Sequence, residues 1–383
     1  MKKDKAEKIK SFDASGIGMG NQIFGLPFNE EESEIIILPV PWEVTVSYNA
    51  GTAMAPRAIQ KASLQVDLFD VDVPDAWKRG IFMKPVNKNI LKRSQELRHK
   101  AVKYIAFLED NGFVKDNKTM QKFRNEINNA GQELKSYVKA EMSEVLHQNK
   151  LPALLGGDHS IPLGFLEALA DFYPEFGILQ IDAHCDLRNA YEGFVFSHAS
   201  IMFNALKIPQ IKKLLQVGIR DVAESELQEI SSSGGRIKPF FDAQLKRNIM
   251  EGKSWKAVCD DIIQELPEQV YVSFDIDGLD PKLCPNTGTP VPGGLDFDQA
   301  VYLILQVVRS GRKIIGFDLN EVSPGKDEWD ANVGARMLYK LSNLMGLSRN
   351  KINEESIVLI HENPRNDELV INLNQNLGIH DER

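Results

Sequence analysis

Oxygen and imidazole donors recur in this chain at intervals of two residues. Asp182, His184 and Asp186 alternate in DAHCD, Asp275 and Asp277 alternate in SFDIDGLDP, and His159 follows Asp158 in GGDHS. Each string follows a short apolar run, so the donors fall at strand ends, where one small site can collect them. If each strand end stays extended, Asp182, His184 and Asp186 share one side, as do Asp275 and Asp277. A single aspartate or histidine at such a place more often caps a helix or closes a turn. Six donors in three strings fit that explanation poorly, because clustered carboxylates repel unless a cation compensates them. Carboxylate and imidazole without thiolate suit a borderline-hard divalent ion. Four aspartates balance the charge of two such ions, and two neighbouring ions share a bridging hydroxide that is a strong nucleophile at neutral pH. The expectation is a binuclear hydrolytic centre with Mn²⁺ as first choice; Ni²⁺, Co²⁺ and Zn²⁺ remain open.

The elements that must position these donors are legible as short β-branched runs separated by helical stretches. The runs are IIILPV (35–40), PALLGG (152–157), GILQID (177–182), LLQVGI (214–219), RIKPFF (236–241), VYVSFD (270–275), KIIGFD (313–318) and SIVLIH (356–361). Several are apolar nearly throughout, as when helices cover both faces of a parallel sheet. The reading is one α/β domain over 35–365, preceded by an extension (1–34) and followed by a polar tail (366–383). Residues 88–150 are charged and periodic, and fit two helices broken near DNGFVKDN. GIGMG (16–20) has no strand before it and fails the context test for a dinucleotide loop.

Bulk properties narrow the partners. The net charge of −9 and pI near 5.4 give no basic face for nucleic acid. Three cysteines, none in a CxxC pair, suit a reducing compartment, and Cys185 is expected to point away from the donor side as a small buried residue. The N-terminus lacks the apolar core of a signal peptide, and no run of about 18 apolar residues occurs. A cytoplasmic protein without membrane contact is expected.

Five strings, GGDHS (156–160), DAHCD (182–186), SFDIDGLDP (273–281), TGTPVPGGL (287–295) and DLNEVSP (318–324), resemble in order those of the ureohydrolase superfamily of arginase, agmatinase, guanidinobutyrase and formimidoylglutamase. The resemblance implies a three-layer α/β/α arginase-like fold around an eight-stranded parallel sheet, and assembly as a homo-oligomer, a trimer or hexamer. It implies one ion held by His159, Asp182, Asp186 and Asp275 and another by His184, Asp182, Asp275 and Asp277. Asp158 takes the place of a residue orienting the site. Glu321 matches the glutamate that pairs with a small cationic guanidino substrate, and Asp186 would orient the nucleophile and pass a proton. His198 falls near a proton-shuttling histidine, a role that suits an exposed imidazole of ordinary pKa. Thr289 belongs to the substrate-facing string TGTPVPGGL.

The substrate is sought in the loop LRNAYEGFVFSHAS (187–200). Arg188 stands where arginases carry an asparagine for the α-carboxylate, and Ala223 where they carry an aspartate for the α-amino group. Both departures count against arginase, and DLR, YEG and SHA look most like a subgroup of agmatinases. Arg188 at the pocket would suit a carboxylate-bearing substrate such as formimidoylglutamate; otherwise it pairs with an acid such as Glu192 or Asp221. Trp329, if it reaches the pocket rim, would stack on a guanidinium or close the pocket around a compact substrate such as guanidine. The first expectation is hydrolysis of agmatine to putrescine and urea. Guanidine, guanidinobutyrate and formimidoylglutamate are alternatives, and a silent binding or assembly subunit is the reading outside catalysis.

Overall fold

The computed structural model describes residues 2–18, 20–110 and 112–349. Its strands are β1 (Ile35–Val40), β2 (Ile81–Met83), β3 (Leu151–Gly156), β4 (Phe176–Ile181), β5 (Ile211–Ile219), β6 (Ile237–Phe241), β7 (Gln269–Asp275) and β8 (Lys313–Asn320). They form one parallel sheet in the order β2-β1-β3-β8-β7-β4-β5-β6. The helices are α1 (Lys2–Ser11), α2 (Ala55–Ala62), α3 (Lys88–Glu109), α4 (Lys118–His147), α5 (Leu163–Phe172), α6 (Ile201–Ala205), α7 (Glu224–Ser232), α8 (Asp242–Met250), α9 (Trp255–Ile263), α10 (Phe297–Arg309) and α11 (Trp329–Ser348). Every residue of β1, β3 and β4 is buried, which requires cover on both faces. On one side α4 packs against α3 and α5; on the other, α11 packs against α2 and α10.

Seven of the eight expected strands form where the apolar runs lie. The eighth strand is β2, which three residues make too short to show any periodicity. The run 356–361, the domain limit at 365 and the tail 366–383 lie outside the described residues. The segment 88–150 does form two helices, α3 and α4, because asparagines cap both. Asn87 accepts the Asn89 and Ile90 N–H groups, and Asn117 those of Thr119 and Met120. N-terminal to β1, Phe24 packs on Tyr339 of α11 and Phe12 on Trp77. Among the described residues no helix is long and apolar enough to cross a membrane.

Candidate metal centre and substrate pocket

Five adjacent strands, β3-β8-β7-β4-β5, deliver the site from their carboxyl ends. His159 follows β3, Glu321 follows β8, Asp275 ends β7, Asp182 follows β4, and Asp221 lies just past β5. The expected extended alternation does not hold. Strand β4 stops at Ile181, and Asp182 turns the chain by accepting the His184 N–H at 2.7 Å. Asp275 likewise accepts the Asp277 N–H at 2.9 Å, and a short 3₁₀ turn (Ile276–Gly278) replaces the pleat. The donors therefore converge through Asx turns, in which a short carboxylate satisfies the backbone two residues on. Gly278 permits the close approach of these turns: a Cβ there would sit 2.6 Å from the Asp182 nitrogen. Asp186 adopts a left-handed backbone (φ 54°), and its carbonyl accepts the Met202 and Phe203 N–H groups of α6.

Two donor clusters result, overlapping at Asp182. His159, Asp182 and Asp186 each offer a ligand atom within 4.8 Å of the others, as do Asp182, His184 and Asp277. His159 Nδ1 lies 3.1 Å from Asp182 Oδ2, 3.1 Å from Asp186 Oδ2 and 3.3 Å from Asp275 Oδ2. His184 Nδ1 lies 3.1 Å from Asp277 Oδ2 and 3.6 Å from Asp182 Oδ1. The two oxygens of Asp182 thus face different histidines. Burial opposes charge here, yet the carboxylates outweigh it and push His184 up to about 12 and His159 well above its ordinary value. Burial, then repulsion from neighbouring aspartates, lifts Asp275 well above the carboxylate range and Asp186 to about 7. The cluster draws positive charge.

The hydrogen-bond pattern fits a metal better than a proton. Ser273 Oγ donates to Asp318 Oδ1 at 3.2 Å, so the 2.9 Å contact between His159 Nε2 and Ser273 Oγ is best met by a proton on Nε2. That leaves a lone pair on Nδ1, which is buried, has no hydrogen-bond partner among the described residues and faces three carboxylate oxygens. A cation between them resolves the repulsion, and imidazole orientation through its second nitrogen is the usual support of a metal ligand.

A row of polar residues underlies the donors. Asp318 of β8, Ser273 of β7, Gln180 of β4 and Gln216 of β5 are partners in register across the sheet, and all are fully buried. Gln216 donates to Gln180 at 2.7 Å, and Gln180 donates to Asp182 Oδ2 at 2.7 Å. The two middle members of the row hold the donors, Ser273 bonding His159 and Gln180 bonding Asp182. Asp158, fully buried, accepts the Val44 and Ser160 N–H groups and the Ser160 hydroxyl, which fixes the turn carrying His159.

A cavity of roughly 140 Å³ opens above the donors, lined by His159, His184, Asp186, Asp275, Thr289 and Glu321 on the inner side. Glu321 holds a left-handed backbone (φ 62°). Its N–H donates to Gly157 O at 2.9 Å, its carbonyl accepts the Thr287 hydroxyl at 2.8 Å, and its Oε1 accepts the His159 N–H at 2.8 Å. Its Oε2 is buried without a partner among the described residues. Burial, with Asp275 and Asp158 nearby, raises its carboxyl well above the ordinary range.

The outer wall departs further from expectation. Arg188 lines the cavity, and its acid is neither Glu192 nor Asp221 but Glu226, with Nε 3.9 Å from Oε2. Its guanidinium lies 4.7 Å from the Tyr191 ring centroid. His198 lines the cavity half-buried rather than exposed; burial and then the neighbouring His184 and His159 lower it to about 3. It stays neutral at physiological pH, so the premise of an ordinary titrating imidazole fails. Trp329 does not line the cavity: it is 47% exposed, at the start of α11, and its indole donates to Lys282 O at 3.0 Å. Cys185 is buried in the core, as expected.

Sequence reasoning missed Glu226, Tyr191 and Ser47 as cavity residues and named Asp221 only as a partner for Arg188; all four line the cavity. Glu226 is buried, accepting the Leu187 N–H at 3.0 Å and the Ala223 N–H at 2.9 Å. The second bond is half of a capping box for α7; alanine at the cap position hides the usual Ser/Thr-x-x-Glu signal.

A parallel α/β/α fold with paired His/Asp clusters at its strand ends defines a class of metal-dependent hydrolases. Residues 33–343 match the Arginase family, and the chain belongs to it. It is 28% identical over 326 residues to an N(1)-aminopropylagmatine ureohydrolase of Thermus thermophilus, covering 85% of this chain and 94% of that protein. It is 26% identical to an agmatinase of Halalkalibacterium halodurans, covering 78% and 87%. The solved agmatine ureohydrolase of Thermoplasma volcanium shares the fold with a TM-score of 0.65 at 21% identity, over 89% of this chain and 98% of that one.

Proposed function

We propose that the protein hydrolyses the guanidino C–N bond of a small cationic guanidino compound, releasing urea, with agmatine giving putrescine as the first substrate. The observation that carries this reading is one cavity lined by His159 and Asp186 of one donor cluster, His184 of the other, and Glu321, whose Oε2 has no partner among the described residues. His159, Asp182, Asp186 and Asp275 would hold one ion, and His184, Asp182, Asp275 and Asp277 the other. When bound, two divalent ions supply a water nucleophile at neutral pH. Glu321 presents a carboxylate to the planar guanidinium and fixes it by charge-assisted hydrogen bonds. Asp186 would orient the attacking water and pass a proton to the leaving amine, while His198 lines the cavity as a neutral imidazole. Thr289 and Arg188 line the space for the rest of the substrate.

Charge supports a cationic tail. Besides Asp186 and Asp275, whose charge bound ions would offset, the cavity is lined among the described residues by Glu321, Asp221 and Glu226 against one arginine, Arg188. The names of the relatives, agmatinase and N(1)-aminopropylagmatine ureohydrolase, describe guanidino compounds with cationic tails and lean the same way. The position of Arg188 on the cavity wall keeps formimidoylglutamate as the second reading. With Trp329 outside the cavity lining, guanidine loses the feature that favoured it. Mn²⁺ is the first choice of ion from the thiolate-free donor set. A cytoplasmic homo-oligomer, trimer or hexamer, completes the reading, in keeping with three buried free cysteines.

The experiment is urea release from agmatine, guanidine, 4-guanidinobutyrate, arginine and formimidoylglutamate after loading with Mn²⁺ and, separately, Ni²⁺. Agmatine is expected to turn over fastest. Slow agmatine beside another fast substrate overturns the agmatine assignment, and two bound ions with no urea from any compound overturns catalysis.

A further inference from the structure

The loop that carries Tyr191 and His198 into the cavity is closed at its base by the Asp186 carbonyl and by the Arg188 N–H on Ala199 O, and its middle rests on helices. It lies against the α3–α4 pair at three points. Asn128 of α4 donates from its amide to Gly193 O at 3.1 Å and accepts the Val195 N–H at 2.9 Å, a two-bond clasp by one side chain. Phe194 is fully buried against Tyr104 of α3, ring centroids 5.0 Å apart. Phe196 lies over Gly131 of α4, where a Cβ would meet the Phe196 Cβ at 2.9 Å. Asn128 and Gly131 are three residues apart and so share one face of α4. A second cavity loop is held from the same pair: Arg98 of α3 donates to the carbonyls of Val44 and Val46, next to Ser47 in the cavity lining.

We infer that α3 and α4 set the substrate preference of this protein, with Asn128 and Gly131 as positioning residues for the 191–198 loop. Neither touches the cavity. They act through Tyr191, which stacks on Arg188 and meets His198 edge-on at 6.3 Å between ring centroids. A hydrogen-bonded clasp is directional, so it fixes the height of the loop above the donors as well as its presence. The alternative, that this pair only covers the sheet, accounts for the apolar contacts of α4 with α5. It does not account for an asparagine spent on two backbone groups of a cavity loop. The inference rests on the cavity above being the substrate pocket.

The test uses the full-length, metal-loaded protein and two variants. Asn128→Ala removes the clasp and leaves the Val195 N–H and Gly193 carbonyl without their partner. Gly131→Ala adds a methyl where Phe196 now lies, while replacing glycine by the better helix former. The first readout is amide hydrogen exchange of the 187–200 segment, which needs no substrate. The second is KM, kcat and the ratio of kcat/KM for agmatine to that for 4-guanidinobutyrate. Asn128→Ala is expected to speed exchange in the loop, raise KM about tenfold and shift the ratio, with kcat and two-ion stoichiometry kept, as for displaced positioning groups. Asn128→Asp, which can still accept from Val195, is expected to recover part of the loss. Gly131→Ala is expected to shift KM and the ratio without lowering Tm. Exchange at the wild-type level in Asn128→Ala overturns the inference, and so does faster exchange with unchanged KM and ratio. Should Asn128→Ala fail to fold, a wild-type KM and ratio in Gly131→Ala overturns it. A wild-type protein that releases no urea overturns the proposed reaction instead, and the exchange comparison still decides whether Asn128 holds the loop.

Discussion

The floor and the wall of the cavity are built by opposite means. The floor is six donors set on strand ends and Asx turns, backed by a buried polar row one layer down that bonds His159 and Asp182 from beneath. The wall is mostly loop: Arg188, Tyr191 and His198 come from one segment, Asp221 from another with Glu226 in the first turn of α7 after it, and Ser47 from a third. A sheet end can hold ligand atoms to a fraction of an ångström because each strand is registered against its neighbours. A loop takes its position from whatever it is packed on. The comparison implies that changes in the floor alter metal content and changes in the wall alter substrate choice.

The strongest test of that division is Asp277→Ala. Asp277 accepts the Ala183 N–H at 3.0 Å and faces His184 at 3.1 Å, so it serves one donor cluster and not the other. The variant is expected to lose one ion more readily than the second and to drop turnover by about 10²-fold or more, beyond what outer partners usually cost. Metal per chain and urea release measured together check it. Near-normal turnover with one ion bound would break the binuclear reading of the floor.

Stripping the metal should next expose the charge stored in the floor. In metal-free protein His184 stays protonated up to about 12 and His159 well above its ordinary value, whereas the unfolded chain releases those protons near pH 6.5. The stability these groups contribute is complete below about pH 6.5 and is lost as pH rises through their folded values. Asp186, raised from 3.8 to about 7, works in the same direction over a lower window. His198 has the opposite sign, but its effect is complete by about pH 6.5. Each imidazole is worth up to about 1.4 kcal/mol per pH unit, or a few degrees in Tm. Chelated protein is therefore expected to lose Tm from pH 6.5 to 8.5 while Mn²⁺-loaded protein stays nearly level. Parallel slopes in a thermal melt would mean that the ion does not replace those protons.

Glu321 stands where floor and wall meet. Glu321→Gln keeps the shape and the bond from the His159 N–H but removes the charge offered by Oε2. The expected loss in kcat/KM is about 10- to 100-fold, the worth of a hydrogen bond to a charged partner, with both ions retained. Loss of an ion instead would place Glu321 among the metal-holding residues.

These contrasts also mark what the sequence could tell. The six donor positions are legible because aspartate and histidine are conspicuous beside apolar runs. The turns that join them are not, since D-x-D and D-x-H suit a strand as well as an Asx turn until the strand length is known. Gln180, Gln216, Ser273 and Asp318 were each visible as one polar letter in an apolar run. Only register reveals that they are neighbours, and register is a property of the sheet. Glu226 and the true surroundings of Trp329 and His198 depend on loop paths, which no periodicity encodes. The fold class followed from alternation of strands and helices, apart from β2.

The polar row supplies the smallest of these effects and the finest cut between floor and wall. Ser273 touches no substrate-facing atom and lies beneath the donors, accepting from His159 Nε2 while donating to Asp318. With Ser273→Ala, His159 keeps its place between three carboxylates but loses the partner that holds its proton on Nε2. The nearest remaining acceptor is Asp318 Oδ1 at 3.6 Å, too far for a good hydrogen bond without a shift of the ring. The lone pair on Nδ1 is then no longer enforced, and the ring can turn. Metal affinity at that cluster is expected to fall about tenfold, the low end of what orienting partners contribute. The KM for substrate at saturating Mn²⁺ should stay within about twofold, since the wall is untouched. Titration with Mn²⁺ followed by activity at saturation separates the two. A raised KM with unchanged metal affinity would mean that the row steers the pocket rather than the ion, and the division between floor and wall would fail at its deepest layer.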